Sequence, residues 1–426
     1  MKTIAKYSLF FTAGLFLLFA ACTQKDPALQ DEIKITDGPL PEEEIAQLPE
    51  LTKSEKEFGE VANKLGFAAF AELTKADMYE GQDFFYSPLS LSMNLSMLAF
   101  GAAGETRSQI LDVLGLADAS VSDINTYYQK LGKILAGVDK DVTIENANSV
   151  WVQDGFPVKS GYMEGLKDYY EADSFNVDFK KAEAVKEAIG KWCSDKTHGR
   201  IEKVDAMSTE TVVALANALY FKAGWGVLFE KNLEEKPFTH ADEHSAVESF
   251  FTGKVAVCYE KTDRLSAISI PYAGSGTYNF VVFLPEEVSD AEGISSLMVQ
   301  EGQSVLEKLN AQYSRAVSVT LPKFNVEQKY RLCGMLNTLG VENAFDKNLS
   351  DFSEISGSRL WVDDIIQYTW LSVDEQGSEA AAATITSELT SNAEVQQVPV
   401  FTADRPFAFA IQEKSTGTLL FLGIKQ

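Results

Sequence analysis

The sequence predicts an α+β domain in which helices pack on large, mainly antiparallel β-sheets and one long segment stays exposed. Three observations carry that prediction. Amphipathic runs at helical spacing crowd the first half of the chain, whereas period-two and β-branched runs crowd the second. The 426 residues are 45% hydrophobic and 11% aromatic, enough for one large core, and little internal punctuation divides them into two domains. A run of small residues near the C-terminus hangs between core-like strands, and loops that long inside a compact domain tend to be functional.

The elements follow in order. Residues 55–73 form an amphipathic helix, with Phe58, Val61, Leu65, Phe67 and Phe70 among its apolar positions. A second helix starts at Ser87-Pro88, where serine can cap and proline suits the first turn, and runs to Phe100 with Leu91, Asn94, Leu95 and Leu98 on its face. Gly101 and Gly104 end it. Shorter helices are expected over 106–114, 122–135, 161–170 and 182–196, and strands over 142–152, 211–221, 267–271, 278–284, 316–322 and 360–373. Runs 406–411 and 416–423 close the chain as two core strands joined by a turn.

The N-terminus sets the compartment. Lys2 and Lys6 precede an apolar run from Leu9 to Ala20, too short to cross a bilayer and right for the core of a signal peptide over residues 1–21. It ends Leu18-Phe19-Ala20-Ala21-Cys22, which resembles the bacterial lipobox, where the cysteine thiol is acylated and becomes the mature N-terminus; Phe19 is larger than that pattern's usual residue. The alternative is an ordinary signal with an incidental cysteine. Residues 22–53 carry Asp31-Glu32, Glu42-Glu43-Glu44 and several prolines, and read as an acidic flexible tether. The resemblance implies that the domain, residues 54–426, hangs from a bacterial outer membrane by the lipid on Cys22. Thr23 in place of aspartate disfavours inner-membrane retention, and Lys25-Asp26 suits export to the cell surface.

Most constellations that could carry chemistry fail on context. His240-Ala241-Asp242-Glu243-His244 fits the H-x-x-E-H pattern of one class of zinc peptidase, but Pro237 and Thr239 precede it and no apolar helical face runs through it. It reads as a polar turn. Cys193 and His198 are five residues apart on a predicted helix, which offsets them around its surface, and no third residue orients them as a nucleophile pair. Gly274-Ser275-Gly276 lacks the G-x-S-x-G frame and reads as a hairpin turn. Cys193, Cys258 and Cys333 have neither disulfide nor metal-ligand spacing and are expected to be buried free thiols. With three histidines, none in a catalytic setting, an enzyme is disfavoured, and no metal or cofactor is called for. A net charge of −25 also disfavours nucleic acid and anionic membrane surfaces as partners.

That leaves the small-residue run, Val373-Asp374-Glu375-Gln376-Gly377-Ser378-Glu379-Ala380-Ala381-Ala382-Ala383-Thr384-Ile385-Thr386. Four alanines favour helix, yet the residues that follow offer no apolar face to dock one. Taken alone the run resembles a flexible linker. Its flanks argue otherwise, because the β-prone 368–373 precedes it and core strands follow it. Read as a strand, it puts Ser378, Ala380, Ala382, Thr384 and Thr386 on one face, all small enough for a tight interior.

Over essentially residues 54–426 the chain resembles the serpins, through patches in that family's order. Phe85-Tyr86-Ser87-Pro88-Leu89-Ser90-Leu91-Ser92, then Met97-Leu98 and Gly101-Ala102-Ala103-Gly104-Glu105-Thr106, look like its second helix and exit. Asn146-Ala147-Asn148-Ser149-Val150-Trp151 matches more loosely; Asn217-Ala218-Leu219-Tyr220-Phe221-Lys222-Ala223-Gly224-Trp225 and Leu321-Pro322-Lys323-Phe324 match clearly. Residues 375–384, Arg405-Pro406-Phe407 and Phe421-Leu422-Gly423 complete the series.

The resemblance implies a protease inhibitor of the suicide type. A target protease attacks an exposed reactive loop, here about residues 376–400, forms an acyl-enzyme and is trapped when the loop inserts as a new strand in the central sheet. Glu375, Gly377, Ser378, Glu379 and Ala380, Ala381, Ala382, Ala383 and Thr384 match the hinge of inhibitory members. Ser87, Ser90 and Asn217 match the region under the sheet that must part, and Trp225 the point where insertion starts. Gln367 stands where many members carry histidine, and since glutamine also bridges by hydrogen bonds, opening is expected to keep its latch with altered pH sensitivity. The family's spacing puts the scissile bond between Ser391 and Asn392, within a residue or two. With no Lys or Arg from Gly377 to Asp404, trypsin-like targets are disfavoured. Elastase-like or subtilisin-like serine proteases fit Ser391, and a slip to Thr390 beside Leu389 suits papain-like cysteine proteases. The rival reading is a binding protein with the same fold that does not inhibit.

Overall fold

Helices predominate among the described residues of the first half and strands among those of the second, in a computed structural model that describes residues 48–75, 81–378 and 398–426. The helices are α1 (Lys53–Thr74), α2 (Pro88–Gly101), α3 (Gly104–Leu114), α4 (Val121–Gly137), α5 (Ser160–Tyr170), α6 (Ala182–Lys196), α7 (Ala291–Leu297), α8 (Gln303–Asn310) and α9 (Cys333–Leu339). The strands are β1 (Phe84–Tyr86), β2 (Thr143–Gln153), β3 (Asp173–Val177), β4 (Val213–Gly224), β5 (Glu234–Thr239), β6 (Ser245–Lys261), β7 (Leu265–Pro271) and β8 (Tyr278–Pro285). They continue with β9 (Arg315–Pro322), β10 (Phe324–Arg331), β11 (Ile365–Asp374), β12 (Gly377–Ser378), β13 (Val400–Thr402), β14 (Phe407–Glu413) and β15 (Thr418–Lys425).

Local chemistry explains the helix starts. Thr52 and Glu55 form a capping box on α1, each side chain accepting the other's backbone N–H, at 3.2 and 2.7 Å. Ser87 Oγ accepts the Ser90 N–H at 3.0 Å and Pro88 occupies the first turn of α2. The one-faced helix expected at 88–100 is instead buried almost all round, because α2 runs between α1, α3, α4 and α5 while also touching β4, β11 and β15.

Two sheets organise the rest. One has nine strands in the order β1-β15-β14-β8-β7-β6-β9-β13, with β5 on β6. The other has six, in the order β10-β11-β12-β4-β2-β3, and β11 also pairs directly with β4. Both are mainly antiparallel; β2–β3, β4–β11 and β9–β13 are the parallel pairs. β14 and β15 are buried along their whole length. The outer face of the six-stranded sheet is covered by α6, whose Val185, Ile189, Trp192 and Cys193 pack with Ala214, Ala216, Ala218, Ile366 and Tyr368.

Some boundaries differ from expectation. The strand expected over 360–373 begins only at Ile365, because Val362 gives its N–H to the Ala344 carbonyl at 2.9 Å and so joins no ladder. β5, β6 and β10 were not expected. β6 is buried irregularly because its two halves serve different neighbours, β5 and β9 first and β7 later.

Candidate functional site

The six-stranded sheet is split down its centre. β4 and β11 run parallel and pair directly only from Leu215 opposite Ile365 to Ala218 opposite Tyr368. Beyond that, β12 is wedged between their ends, antiparallel to both: Ser378 lies opposite Val373 on one side and Ala223 on the other, and Gly377 opposite Asp374 and Gly224. Between the wedge and the closed ladder, 369–372 and 219–222 make no direct strand pairing with each other.

The chain turns into the wedge for identifiable reasons. Asp374 Oδ1 accepts the Gln376 N–H at 2.8 Å, an Asx turn. Gly377 has φ +152°, and a Cβ there would run into the Ala223 carbonyl. Trp225 ties the turn down, its N–H donating to Gln376 O at 3.0 Å and its Nε1–H to Asp374 O at 2.8 Å. Lys323 Nζ lies 3.6 Å from both Asp374 and Glu375 carboxylates. Ser378 is fully buried, and its Oγ is 2.5 Å from the Tyr272 hydroxyl, whose ring stacks on Trp225 at 4.9 Å.

Below the wedge the closed ladder rests on polar residues. Gln367, opposite Asn217, accepts the Ser87 N–H through Oε1 at 2.7 Å and donates from Nε2 to Ser87 O at 3.0 Å. Asn217 Nδ2 donates to the side-chain Oδ1 atoms of Asn146 and Asn148 at 2.9 Å each. Among the described residues Ser90 Oγ, the Asn94 amide and Asn217 Oδ1 are buried without a hydrogen-bond partner. Each such group costs about 1–3 kcal/mol. Four residue pairs thus close the seam over under-satisfied polar groups.

A model of the family described as Serpin (serine protease inhibitor) matches residues 60–425. The chain is a serpin. It is 31% identical over 375 residues to an uncharacterized serpin-like protein of Thermococcus kodakarensis, covering 87% of this chain and 85% of that one. It is also 31% identical over 352 residues to Serpin B6 of Pongo abelii, covering 80% and 92%. The native structure of the thermophilic serpin tengpin superposes with a TM-score of 0.76 at 28% identity, covering 89% and 95% of the two chains. Serpin48 of Tenebrio molitor gives 0.76 at 26%, covering 88% and 99%. Serpins are as a rule not enzymes but inhibitors or binding proteins, and the family generally targets proteases.

In this serpin, Ser87, Ser90, Asn217 and Gln367 converge beneath the closed part of the seam, and Trp225, Glu375, Gly377 and Ser378 at its open mouth. Glu379, Ala380, Ala381, Ala382, Ala383, Thr384, Ser391, Asn392 and Cys22 lie outside the described residues. Sequence reasoning missed Tyr272 and the pairing of Lys323. Lys323 sits in a quoted patch, but nothing in the primary sequence aims either side chain at the wedge.

The other constellations lie apart from the wedge. His240 and His244 stack at 4.3 Å at the tip of the β5–β6 hairpin, where the His240 N–H donates to His244 O, and the described residues hold no His, Cys, Asp or Glu group suited to a metal ion. Burial pushes the Cys193 thiol up to about 12, while His198 is exposed beside Glu145 at 2.8 Å. Gly274 to Gly276 is a hairpin turn held by Asp139, which accepts the Ser275 N–H at 2.8 Å. Cys258 is buried and free; Cys333, expected to be buried too, is only half-buried, because its short helix α9 buries only Leu336.

Proposed function

We propose that this serpin traps a target serine protease through cleavage of its reactive loop and insertion of the loop as a strand between β4 and β11. The observation that carries the reading is the wedge: Gly377 and Ser378, at the root of the loop, already sit between two parallel strands, antiparallel to each, as a new strand must. Continuing that register six residues past Ser378 brings Thr384 opposite Gln367 on one side and Asn217 on the other. Ser378, Ala380, Ala382 and Thr384 then share the inner face, and the Thr384 hydroxyl meets a position where the buried Asn217 Oδ1 lacks a donor. An inserted strand of about 15 residues forms ladder bonds on both edges at roughly 0.5–1.5 kcal/mol each, on the order of ten kcal/mol before ordering entropy. That is comparable with a whole domain's stability, about 5–15 kcal/mol.

Target and location follow the sequence. Ser391–Asn392 is the proposed scissile bond, and the absence of Lys and Arg from 377 to 404 favours elastase-like or subtilisin-like serine proteases, or a papain-like cysteine protease, over trypsin-like ones. Cys22 is the proposed lipid anchor, at the end of a signal peptide over 1–21, with an acidic tether before the domain and display at the bacterial outer membrane; radiolabelled fatty acid incorporated by the wild type and lost in Cys22→Ala checks it. The inhibitor reading is tested by mixing the mature protein with neutrophil-type elastase and resolving the products under denaturing conditions. A covalent, detergent-stable complex is expected. Simple cleavage by every member of a panel of serine and cysteine proteases, with no complex and no gain in heat resistance, points to a non-inhibitory binding protein instead.

A further inference from the structure

We propose that Tyr272 is a positioning residue for strand insertion, its hydroxyl docking Ser378 in the sheet before the loop is cut so that the new strand grows from a fixed nucleus. The inference rests on the inhibitor reading and adds a residue to it.

Tyr272 directly follows β7 of the nine-stranded sheet, while Ser378 belongs to the six-stranded one. Their contact links the two sheets at the mouth of the seam. Nothing about Tyr272 is free to wander. It forms an isolated antiparallel bridge with Trp225, its N–H donates to Tyr278 O at 2.9 Å, and the next residue, Ala273, donates to Gly224 O at 2.8 Å. Its ring lies 4.9 Å from Trp225 at an interplanar angle of 11° and 5.0 Å from Phe221 at 60°, and it is 1% exposed. The hydroxyl is thus fixed relative to the end of β4, the strand against which the loop must build. Burial raises the phenol's pKa, so it stays a neutral hydroxyl.

Ser378 is the right recipient. It is the first inner-face residue of the wedge, and the next inner-face positions, Ala380 and Ala382, bring no side-chain hydrogen-bonding group. A hydroxyl contact is therefore available at the start of the strand and not again until Thr384. Trapping is a race between insertion and hydrolysis of the acyl-enzyme. A docked first residue removes the search for register, because a one-residue slip would turn every side chain to the wrong face. Loss of either hydroxyl leaves the other buried without this partner, which shifts the docked equilibrium roughly ten-fold.

The test uses the full mature chain with Tyr272→Phe, Ser378→Ala, Ser378→Thr and the Tyr272→Phe/Ser378→Ala double variant. Two readouts are taken: hydrogen exchange at the amides of Trp225, Gly377 and Ser378 in the uncleaved protein, and the number of inhibitor molecules consumed per elastase trapped. Tyr272→Phe and Ser378→Ala should each speed exchange at those amides about ten-fold and raise consumption several-fold. The double variant should be no worse than either single one, and Ser378→Thr, which keeps the hydroxyl, should behave like wild type. Wild-type exchange and consumption in Tyr272→Phe, or single effects that multiply in the double variant, overturn the assignment. If the wild type traps no protease, the inhibitor reading fails by itself, and exchange still decides: loosened amides in Tyr272→Phe uphold the docking contact and unchanged amides overturn it.

Discussion

At the scale of single residues, Gly377 and Gln367 carry the sharpest consequences. Gly377 combines a φ of +152° with no room for a Cβ beside the Ala223 carbonyl. Gly377→Ala faces about 1–3 kcal/mol of local strain, and the cheapest relief is to expel the wedge from the sheet. We expect several-fold more inhibitor cleaved per protease trapped, read from the ratio of cleaved product to complex on a denaturing gel, with the thermal midpoint of the uncleaved protein nearly unmoved. Gln367 donates and accepts at Ser87 without a titrating group. Opening of the seam at this latch should therefore be flat between about pH 6 and 8. In Gln367→His a neutral imidazole can copy both bonds, but a protonated one has no acceptor for the Ser87 N–H, so opening should accelerate as pH falls through about 6.5. Rates of heat-induced loop insertion across that range check it, and a flat profile in the histidine variant counts against the latch.

At the scale of elements, the described residues divide the seam between β4 and β11 into a wedge, a slot where the two strands do not pair directly, and a closed ladder of four residue pairs. Growth of β12 through the slot breaks no strand pairing; growth beyond it must unzip the ladder. Ser378→Arg puts a long cation where a fully buried side chain faces Tyr272, and should turn inhibitor into substrate, with cleavage retained and the covalent complex lost. Retained trapping would count against insertion. Thr384→Val should leave entry into the slot intact and slow passage of the ladder, seen as a lower trapping fraction without faster acyl-enzyme formation. Lys323→Ala removes half-exposed ion pairs with Asp374 and Glu375, each worth about 0–1 kcal/mol, and should change the thermal midpoint little. The strands at this seam were legible because Tyr368 to Val373 and Asn217 to Phe221 are β-prone, whereas β5 went unread because it is charged and buries only Phe238, and β10 because its alternation of Phe324, Val326 and Tyr330 is short and diluted by charged residues.

At the scale of the whole molecule, the proposed insertion adds a full strand to a central sheet that already pairs Gly377 and Ser378. Cleavage of the loop by a non-target protease should therefore raise the thermal midpoint by roughly ten degrees, since on the order of ten kcal/mol is at stake. An unchanged midpoint after quantitative cleavage would remove the driving force. Thiol chemistry checks the core independently. With the Cys193 and Cys333 thiols held up at about 12, the reactive thiolate is scarce at pH 8, and it becomes commoner as pH rises toward that value. Iodoacetamide should label the folded protein slowly at pH 8 and the unfolded protein readily.

The sequence by itself determined the fold class, most helices and a small-residue face that could enter a sheet, because caps, periodicity and side-chain size act over a few residues. Only the tertiary structure decided where that face begins to enter and what meets it there. Tyr272 lies 106 residues from Ser378, and Ser87 lies 280 from Gln367. Contacts at such separations are set by the packing of two sheets and a buried helix, which no local pattern encodes.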